Sequence, residues 1–367
     1  MGKRRIQGMI KYLYIDDESN ETVNSFTSGL KDDNLSIEYK HVDEINPKDF
    51  FIKNLKDYDG LLLDLRTDEF SKNSNFTGSV WGQHVRDLAT DIKLDVKDVP
   101  IVLFSTDDKL RATYFKDLTS NNIFDRFLTK GNSPDNAKMK MISLANGYQK
   151  ISKEKNFNKL LEIDINNLDP RIFSRFEGGE DIPTHEYAQM ILKDLIYAKG
   201  VLINEKYLAA RLGIDKDNSE DWNKVKEIFA PSMYKGVFSD GWERWWMFAV
   251  DKLFNEKSET FLTYLDAKER VDILKEKLNL KNLIFPDPID KNESYDYWAV
   301  CKALKKPLDP NEAFKVYTRS EPKPWQEYEY ISLSAWLEKS PRIEEKNIVI
   351  HPADKEKLNI KLAKYNG

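Results

Sequence analysis

The stretch Tyr58-Asp59-Gly60-Leu61-Leu62-Leu63-Asp64 decides the predicted fold. Its apolar run has the length and composition of a short buried strand, and Asp64 follows where the run stops. An earlier run, Tyr12-Leu13-Tyr14-Ile15, ends in the same way, in Asp16 and Asp17. Two predicted strands therefore end in carboxylates.

Two further apolar runs end in polar residues of complementary chemistry. Pro100-Ile101-Val102-Leu103-Phe104 ends in Ser105 and Thr106, and a run from residue 123 to residue 129 ends in Lys130. In open α/β sheets, ligands bind beyond the carboxyl ends of the strands, so we expect these side chains to converge. Carboxylates suit Mg²⁺, while lysine and serine suit phosphate oxygens, so the pattern predicts phosphoryl transfer onto a carboxylate.

The intervals between these runs carry apolar residues at helical spacing. Helices are predicted over Ser19 to Lys31, Pro47 to Asp57, Val80 to Ile92 and Leu110 to Leu118, with a last helix opened by Ser133-Pro134. Strands that alternate with helices are typical of an α/β fold with a parallel sheet.

These motifs resemble those of the receiver domain of bacterial two-component response regulators, over residues 9–150. The matching segments are Tyr14-Ile15-Asp16-Asp17-Glu18, Leu62-Leu63-Asp64-Leu65, residues 100–106 and Phe127-Leu128-Thr129-Lys130. The resemblance implies a five-stranded, doubly wound parallel sheet.

The resemblance also implies a magnesium site. Asp64 would be the phosphoacceptor, Asp17 a direct ligand of Mg²⁺ and Asp16 a ligand through water. The backbone carbonyl of Arg66 would complete the protein's share of the metal shell.

Three further residues take roles by the same resemblance. The Ser105 hydroxyl would turn toward the phosphoryl group, and Lys130 would bind its oxygens. Phe127 would be the aromatic residue whose rotamer follows Ser105, so Ser105 and Phe127 form the expected switch.

The chain departs from the family's pattern at three places. Gly131 follows Lys130, where the family usually has proline, and Thr106 stands where the family prefers a smaller residue. The link from Asp68 to Gly82 is longer than usual between the third strand and the third helix. An insertion so close to Asp64 is expected either to cap the site or to contact a partner.

Composition fits an intracellular protein of two or three domains. The chain has 367 residues, is 40% hydrophobic and contains one cysteine, Cys301, which excludes a disulfide within the chain. No apolar run reaches the roughly 18 residues of a membrane helix, and the first residues lack a secretory signal. We expect a cytoplasmic protein that does not enter a membrane.

The second half is predicted to be mainly α-helical and aromatic-rich. Residues 151–175 are expected to be a linker or a helical extension, and residues 176–367 an output domain of no family that we recognise. Helices are predicted over Thr184 to Lys199, Trp222 to Phe229, Trp242 to Phe254 and Thr260 to Leu278. The cluster Trp242, Trp245 and Trp246 is either part of a helical core or a docking surface.

A DNA-binding function is disfavoured. Asn204 to Asp215 resembles the first helix and turn of a helix-turn-helix, but a long acidic connection follows it. Residues 171–367 contain 32 Lys and Arg against 34 Asp and Glu, so they lack a basic footprint. His185 and His351 lie in no catalytic motif and are predicted to be surface or loop histidines.

The sequence thus predicts a phosphorelay regulator that a histidine kinase or phosphotransfer protein phosphorylates on Asp64 with Mg²⁺. Its C-terminal domain would bind a protein effector or self-associate, and no further enzymatic activity is expected. In one alternative, the receiver is a fixed docking or phosphate-sink module of a multi-protein assembly. In a second alternative, the protein is a DNA-binding transcription regulator.

Overall fold

The chain forms two compact units. The first contains Met1–Lys193 and Lys235–Trp242, and the second contains Asp194–Tyr234 and Glu243–Gly367. The computed structural model describes residues 8–46, 49–71, 76–91, 93–106, 122–131, 136–178, 181–318, 320–338 and 348–366.

A five-stranded parallel sheet forms the centre of the first unit. Its strands are β1 (Ile10–Asp16), β2 (Leu35–His41), β3 (Gly60–Leu63), β4 (Ile101–Ser105) and β5 (Arg126–Thr129), in the order β2-β1-β3-β4-β5. This order is that of the flavodoxin-like doubly wound sheet, with its switch point between β1 and β3. The fold class predicted for this part of the chain is confirmed, and the sheet fits the receiver fold.

Both faces of the sheet are buried, which explains why its central strands are continuously apolar. Leu13, Leu61 and Leu103 lie in one hydrophobic core beneath the sheet. Side chains of alternate register, such as Tyr12, are buried on the other face, where the Tyr12 hydroxyl donates to the carbonyl of Met141. The central strands β1, β3 and β4 therefore expose polar groups only at their ends.

The helices of this unit are α1 (Asn20–Thr27), α2 (Phe50–Asn54), α3 (Gly78–Thr90) and α4 (Ala137–Lys153). They follow the predicted intervals, but α1 and α2 are shorter and α3 begins two residues earlier than predicted. The Ser19 side chain accepts a hydrogen bond from the amide of Thr22 and so caps α1. The helix predicted over Leu110 to Leu118, and the Ser133-Pro134 start of the last helix, lie outside the described residues.

The first unit continues past residue 150. It contains α5 (Phe157–Leu161), three short 3₁₀ turns, α6 (Thr184–Gln189) and a π-helix over Met190–Ile196 whose last residues lie in the second unit. Leu160 and Ile172 are buried, so this stretch packs as part of the unit. The domain boundaries placed at residues 150 and 175 by the sequence stay predictions.

The second unit is mainly helical with three two-stranded antiparallel ladders. Its helices are α7 (Glu205–Leu212), α8 (Trp222–Ile228), α9 (Met247–Ser258), α10 (Ala267–Leu278), α11 (Leu333–Leu337) and α12 (Lys355–Asn366). The ladders pair β6 (Leu202–Ile203) with β7 (Trp245–Trp246), β8 (Ala299–Val300) with β9 (Pro307–Leu308), and β10 (Phe314–Lys315) with β11 (Tyr330–Ile331). One hydrophobic core runs through the unit. Within the described part of the chain, no helix has the length and apolarity needed to span a bilayer.

The helix predicted over Trp242 to Phe254 begins only at Met247. Trp245 and Trp246 instead pair as a strand with residues 202–203, because bulky aromatic side chains suit an extended ladder. The helix-turn-helix candidate also ends early. Gly213 closes α7 in the left-handed conformation, and α8 starts only at Trp222, so no short turn joins the two helices.

Candidate functional site

The predicted site residues converge at the carboxyl edge of the sheet. Asp16 and Ser105 are the last residues of β1 and β4, Asp64 directly follows β3, and Lys130 directly follows β5. The carboxylates of Asp16, Asp17 and Asp64 each bring an oxygen to within 4.8 Å of the others, and all three residues are buried. The parallel topology therefore collects side chains that are far apart in sequence.

Asp16 is fully engaged by the protein. Its Oδ1 accepts hydrogen bonds from the amides of Asp17 (2.8 Å) and Glu18 (3.2 Å). Its Oδ2 accepts from Nζ of Lys130 (2.6 Å) and from the hydroxyl of Tyr14. A direct metal bond to Asp16 would displace one of these donors, which suits the predicted role of Asp16 as a ligand through water.

The other two carboxylates are each oriented by backbone amides. Asp64 Oδ2 accepts from the amide of Arg66 (3.0 Å), and Asp64 Oδ1 lies 3.0 Å from Nζ of Lys130. Asp17 Oδ2 accepts from the amide of Phe70 (2.7 Å), and the backbone of Glu69 also bonds to the Asp17 carboxylate. The main chain thus holds both carboxylates in place.

The site holds an excess of negative charge, since Lys130 pairs with Asp16 and Asp64 while the buried Asp17 lies beside them without an ion pair to that lysine. Burial raises the pKa of Asp64, and although Lys130 lowers it, the repulsion from Asp16 keeps the pKa above its ordinary value. Burial also raises the pKa of Asp17, opposed by the Phe70 amide and reinforced by Asp16. Burial acts to lower the pKa of Lys130, but Asp64 and Asp16 outweigh it and raise that pKa, so the ammonium stays charged.

The two switch residues differ in their surroundings. Ser105 is buried, and its hydroxyl has no hydrogen-bond partner among the described residues. Phe127 faces outward from the edge strand β5 with 45% of its surface exposed. A buried hydroxyl without a partner is uncommon in proteins, and this one belongs to the last residue of β4, at the carboxyl edge of the sheet. The coupling between Ser105 and Phe127 stays a prediction.

Sequence reasoning missed several residues that support the site. Burial, and then Asp16, raise the pKa of Tyr14 well above its usual value, so Tyr14 remains a hydroxyl donor to Asp16. His41 accepts the amide of Asp43 at Nδ1, so its Nε2 carries the proton that it donates to the carbonyl of Asp17 (3.1 Å). Gly78 also supports the site, because a Cβ at this position would lie 1.9 Å from the carbonyl oxygen of Asp64. The glycine itself is the only sign of this close approach that the sequence offers.

The donor set fits Mg²⁺. This ion prefers oxygen ligands and usually binds through one or two carboxylates while keeping several waters. The buried trio Asp16, Asp17 and Asp64 could provide these carboxylates. The Arg66 amide already orients Asp64, and the Arg66 side chain turns away to pair with Asp68 at 2.9 Å.

A second buried charged cluster lies at the opposite, amino end of the same sheet. The Arg86 guanidinium on α3 bonds to Asp98 (3.0 Å), Asp125 (2.8 Å) and the hydroxyl of Tyr148 (3.2 Å), and to the carbonyls of residues 99 and 123. His185 donates its amide to Asp98, and its ring Nδ1 lies 2.8 Å from the same oxygen. The prediction of a surface or loop position is wrong for His185, which is buried because it packs against this cluster.

The tryptophan cluster is not an exposed docking surface. Trp242, Trp245 and Trp246 are all buried, with at most 5% of each exposed. Trp242 packs on Phe238 in the first unit, Trp245 lies in the core of the second unit, and Trp246 packs on Tyr234. The docking interpretation is wrong for these indoles, because pairing of Trp245 and Trp246 in the β6–β7 ladder buries this segment.

Comparisons with known proteins add little to this geometry. No protein-family model matches the chain, and no curated protein matches it. Among solved structures, the response regulator ChrA of a heme-sensing two-component system matches over 53% of this chain and 92% of its own chain, with 15% identity and a TM-score of 0.27. A match at this level carries no functional argument. The receiver-like character of the first unit rests on its strand order and its site residues.

Proposed function

We propose that this protein is a phosphorelay signalling regulator that accepts a phosphoryl group on Asp64. The observation that carries the proposal is the buried trio Asp16, Asp17 and Asp64 at the carboxyl edge of the sheet, with Lys130 between Asp16 and Asp64. Burying three carboxylates around one ammonium is costly unless a cation and an anion bind there. A protein phosphodonor, either a histidine kinase or a phosphotransfer protein, fits this chemistry.

The chain's own residues position and balance the transfer. One carboxylate oxygen of Asp64 forms a bond to phosphorus while the bond from phosphorus to the donor atom breaks, and the leaving group departs with that electron pair. The amide of Arg66 holds Asp64 Oδ2, so the attacking oxygen is oriented. Lys130 and the Ser105 hydroxyl are placed to bind the phosphoryl oxygens.

Magnesium would be held by Asp17 and Asp64 directly, by the carbonyl of Arg66, and by Asp16 through water. When bound, Mg²⁺ neutralises charge on the phosphoryl oxygens. The three carboxylates repel each other in its absence, so we expect the metal to stabilise the folded protein as well as the transfer.

For the output, we propose a contact with a protein effector or self-association through the C-terminal part of the chain. The near-neutral charge of residues 171–367 supports a protein contact over DNA binding. The buried indoles place that contact elsewhere than on the Trp242 cluster. The phosphoryl charge at Asp64 would act through Ser105 and Phe127 on a two-state equilibrium.

A docking or phosphate-sink module is the second candidate, favoured by the departures at Gly131 and Thr106. The two candidates differ in what phosphorylation does. A regulator changes its affinity for itself or for its effector when beryllofluoride, a mimic of the acyl phosphate, is bound, whereas a fixed module does not. Sedimentation of the full chain with and without beryllofluoride measures the self-association, and a change would favour the regulator.

Thermal unfolding with Mg²⁺ and beryllofluoride tests the site. We expect both together to raise the melting temperature of the wild type more than Mg²⁺ alone, by linkage to the folded state. Asp64→Asn should lose the beryllofluoride increment, and the exposed Asp33→Asn should keep it. Equal increments in the wild type and in Asp64→Asn would remove Asp64 as the acceptor.

A further inference from the structure

The inserted loop after β3 bonds directly to a residue of the site. The amide of Phe70 donates to Oδ2 of Asp17 over 2.7 Å, although the two residues are 53 positions apart in sequence. Phe70 itself points outward, with 63% of its surface exposed. The contact is therefore made by the main chain and not by the side chain.

Further contacts on both sides of Phe70 hold the loop in place. The Ser71 hydroxyl lies 2.5 Å from Oδ1 of Asp43, and Arg66 pairs with Asp68. The hydroxyl of Thr67 donates to the carbonyl of residue 76, which closes the base of the loop. The described residues on both sides of Phe70 are therefore tied to the rest of the unit by side-chain contacts, as Phe70 is by its amide.

The contact has a consequence for metal binding. A carboxylate that ligates Mg²⁺ through one oxygen is oriented by whatever bonds to its other oxygen. For Asp64 that partner is the amide of Arg66, two residues away. For Asp17 it is the amide of Phe70, and the backbone of Glu69 makes a smaller contribution at the same carboxylate. Both residues belong to the part of the chain that is longer than in the family it resembles.

We propose that the main-chain amide of Phe70 positions Asp17 for the metal, so that the inserted loop and Mg²⁺ binding are energetically coupled. The inference rests on the proposed function, because it presumes that Asp17 is a metal ligand. Coupling is reciprocal: the loop raises the affinity for Mg²⁺, and Mg²⁺ tightens the loop.

Substitution by proline isolates the amide, because proline removes the N–H. Phe70→Pro is compared with Phe70→Ala, which also loses the ring but keeps the donor. We expect Phe70→Pro to bind Mg²⁺ about 10–100-fold more weakly than Phe70→Ala in calorimetric titration of the full chain, the usual range for losing an outer-shell partner of a ligand.

Hydrogen exchange of the wild type tests the same contact without any substitution. We expect the Phe70 amide to exchange slowly in the metal-free protein and more slowly with Mg²⁺ bound. A Phe70 amide that exchanges at the rate of an unprotected amide would overturn the inference even if the proline variant did not fold.

The outcomes separate the inference from the proposed function. Mg²⁺ binding by the wild type, with equal affinities in Phe70→Pro and Phe70→Ala, would overturn the role of the amide and leave the metal site standing. No Mg²⁺ binding by the wild type would overturn both.

Discussion

The two ends of the β-sheet in the first unit bury charge in opposite ways. At the amino end, all the donors of Arg86 are paired with carboxylates, carbonyls and a hydroxyl. At the carboxyl end, three carboxylates lie together but only Asp16 and Asp64 pair with Lys130, and the Ser105 hydroxyl has no partner among the described residues. The first cluster is complete in the protein alone, whereas for the second we propose that ligands complete it.

The pKa values show the same difference. Burial acts to raise the pKa of Asp98, but the hydrogen bond from His185 and the charge of Arg86 outweigh it, and the pKa of Asp98 is lowered. Burial and Asp16 together leave the pKa of Asp64 raised, despite Lys130. Ionisation is therefore stabilised at the amino end of the sheet and resisted at the carboxyl end.

The largest effect is expected from breaking the complete cluster. Arg86→Met leaves Asp98 and Asp125 buried without their cation, so we expect the free energy of unfolding to fall by about 3–5 kcal/mol. Lys150→Met is the control, because it breaks an exposed ion pair with Glu162 that is worth about 0–1 kcal/mol. Urea denaturation of both variants measures the difference, and equal losses would contradict the structural role of the Arg86 cluster.

Neutralising Asp64 at the carboxyl end of the sheet is expected to change the free energy of unfolding in the opposite direction. Asp64→Asn should raise the metal-free free energy of unfolding by about 1 kcal/mol, the size of an ordinary single-residue effect. The substitution relieves the repulsion from Asp16 and removes the cost of burying the charge. Loss of stability in metal-free Asp64→Asn at neutral pH would show that Lys130 already satisfies the site.

The difference in stability between Asp64→Asn and the wild type is expected to depend on pH. The folded protein holds the Asp64 proton more tightly than the unfolded chain, so the wild type loses stability relative to Asp64→Asn as pH rises above 3.8, the unfolded value. For Asp98 the sign is reversed: its stabilising contribution is present above pH 3.8 and is lost as pH falls through its lowered folded pKa. Melting curves between pH 3 and pH 8 measure the first difference, and a gap between wild type and Asp64→Asn that does not change with pH would contradict it.

The smallest effect on stability is expected from removing the Ser105 hydroxyl, which has no hydrogen-bond partner among the described residues. Ser105→Ala removes a buried group that has no hydrogen bond, so the metal-free protein should lose no stability and gain up to about 1 kcal/mol. Ser143→Ala is the matched control, because the buried Ser143 hydroxyl accepts from the amide of Gly241 (3.1 Å), and its loss should cost about 1 kcal/mol. Similar losses in both variants, measured by chemical denaturation, would mean that Ser105 has a partner in solution.

Much of the sheet and of its carboxyl edge was predictable because the signals are local. Each buried run ends at a polar residue, and parallel topology brings such residues to one edge whatever their separation in sequence. Asp16, Asp17, Asp64, Ser105 and Lys130 lie where this argument places them.

The features that sequence reasoning missed depend on contacts between distant segments. Nothing in the sequence around Phe70 shows that its amide meets Asp17, because every residue except proline carries the same amide. Arg86 looks like a solvated charge on an amphipathic helix until Asp98 and Asp125 are brought to it. The burial of Trp245 likewise follows from its pairing with Ile203, a two-residue ladder too short to leave a pattern.

The most direct test of the account is covalent labelling by acetyl phosphate in the presence of Mg²⁺, located by peptide mass spectrometry. The account predicts one phosphoryl group on Asp64, absent in Asp64→Asn and retained in Asp33→Asn. Labelling of Asp64→Asn to the same extent as the wild type, or no labelling of a wild type that binds Mg²⁺, would contradict the claim that the carboxyl edge of the sheet is a phosphoryl acceptor site.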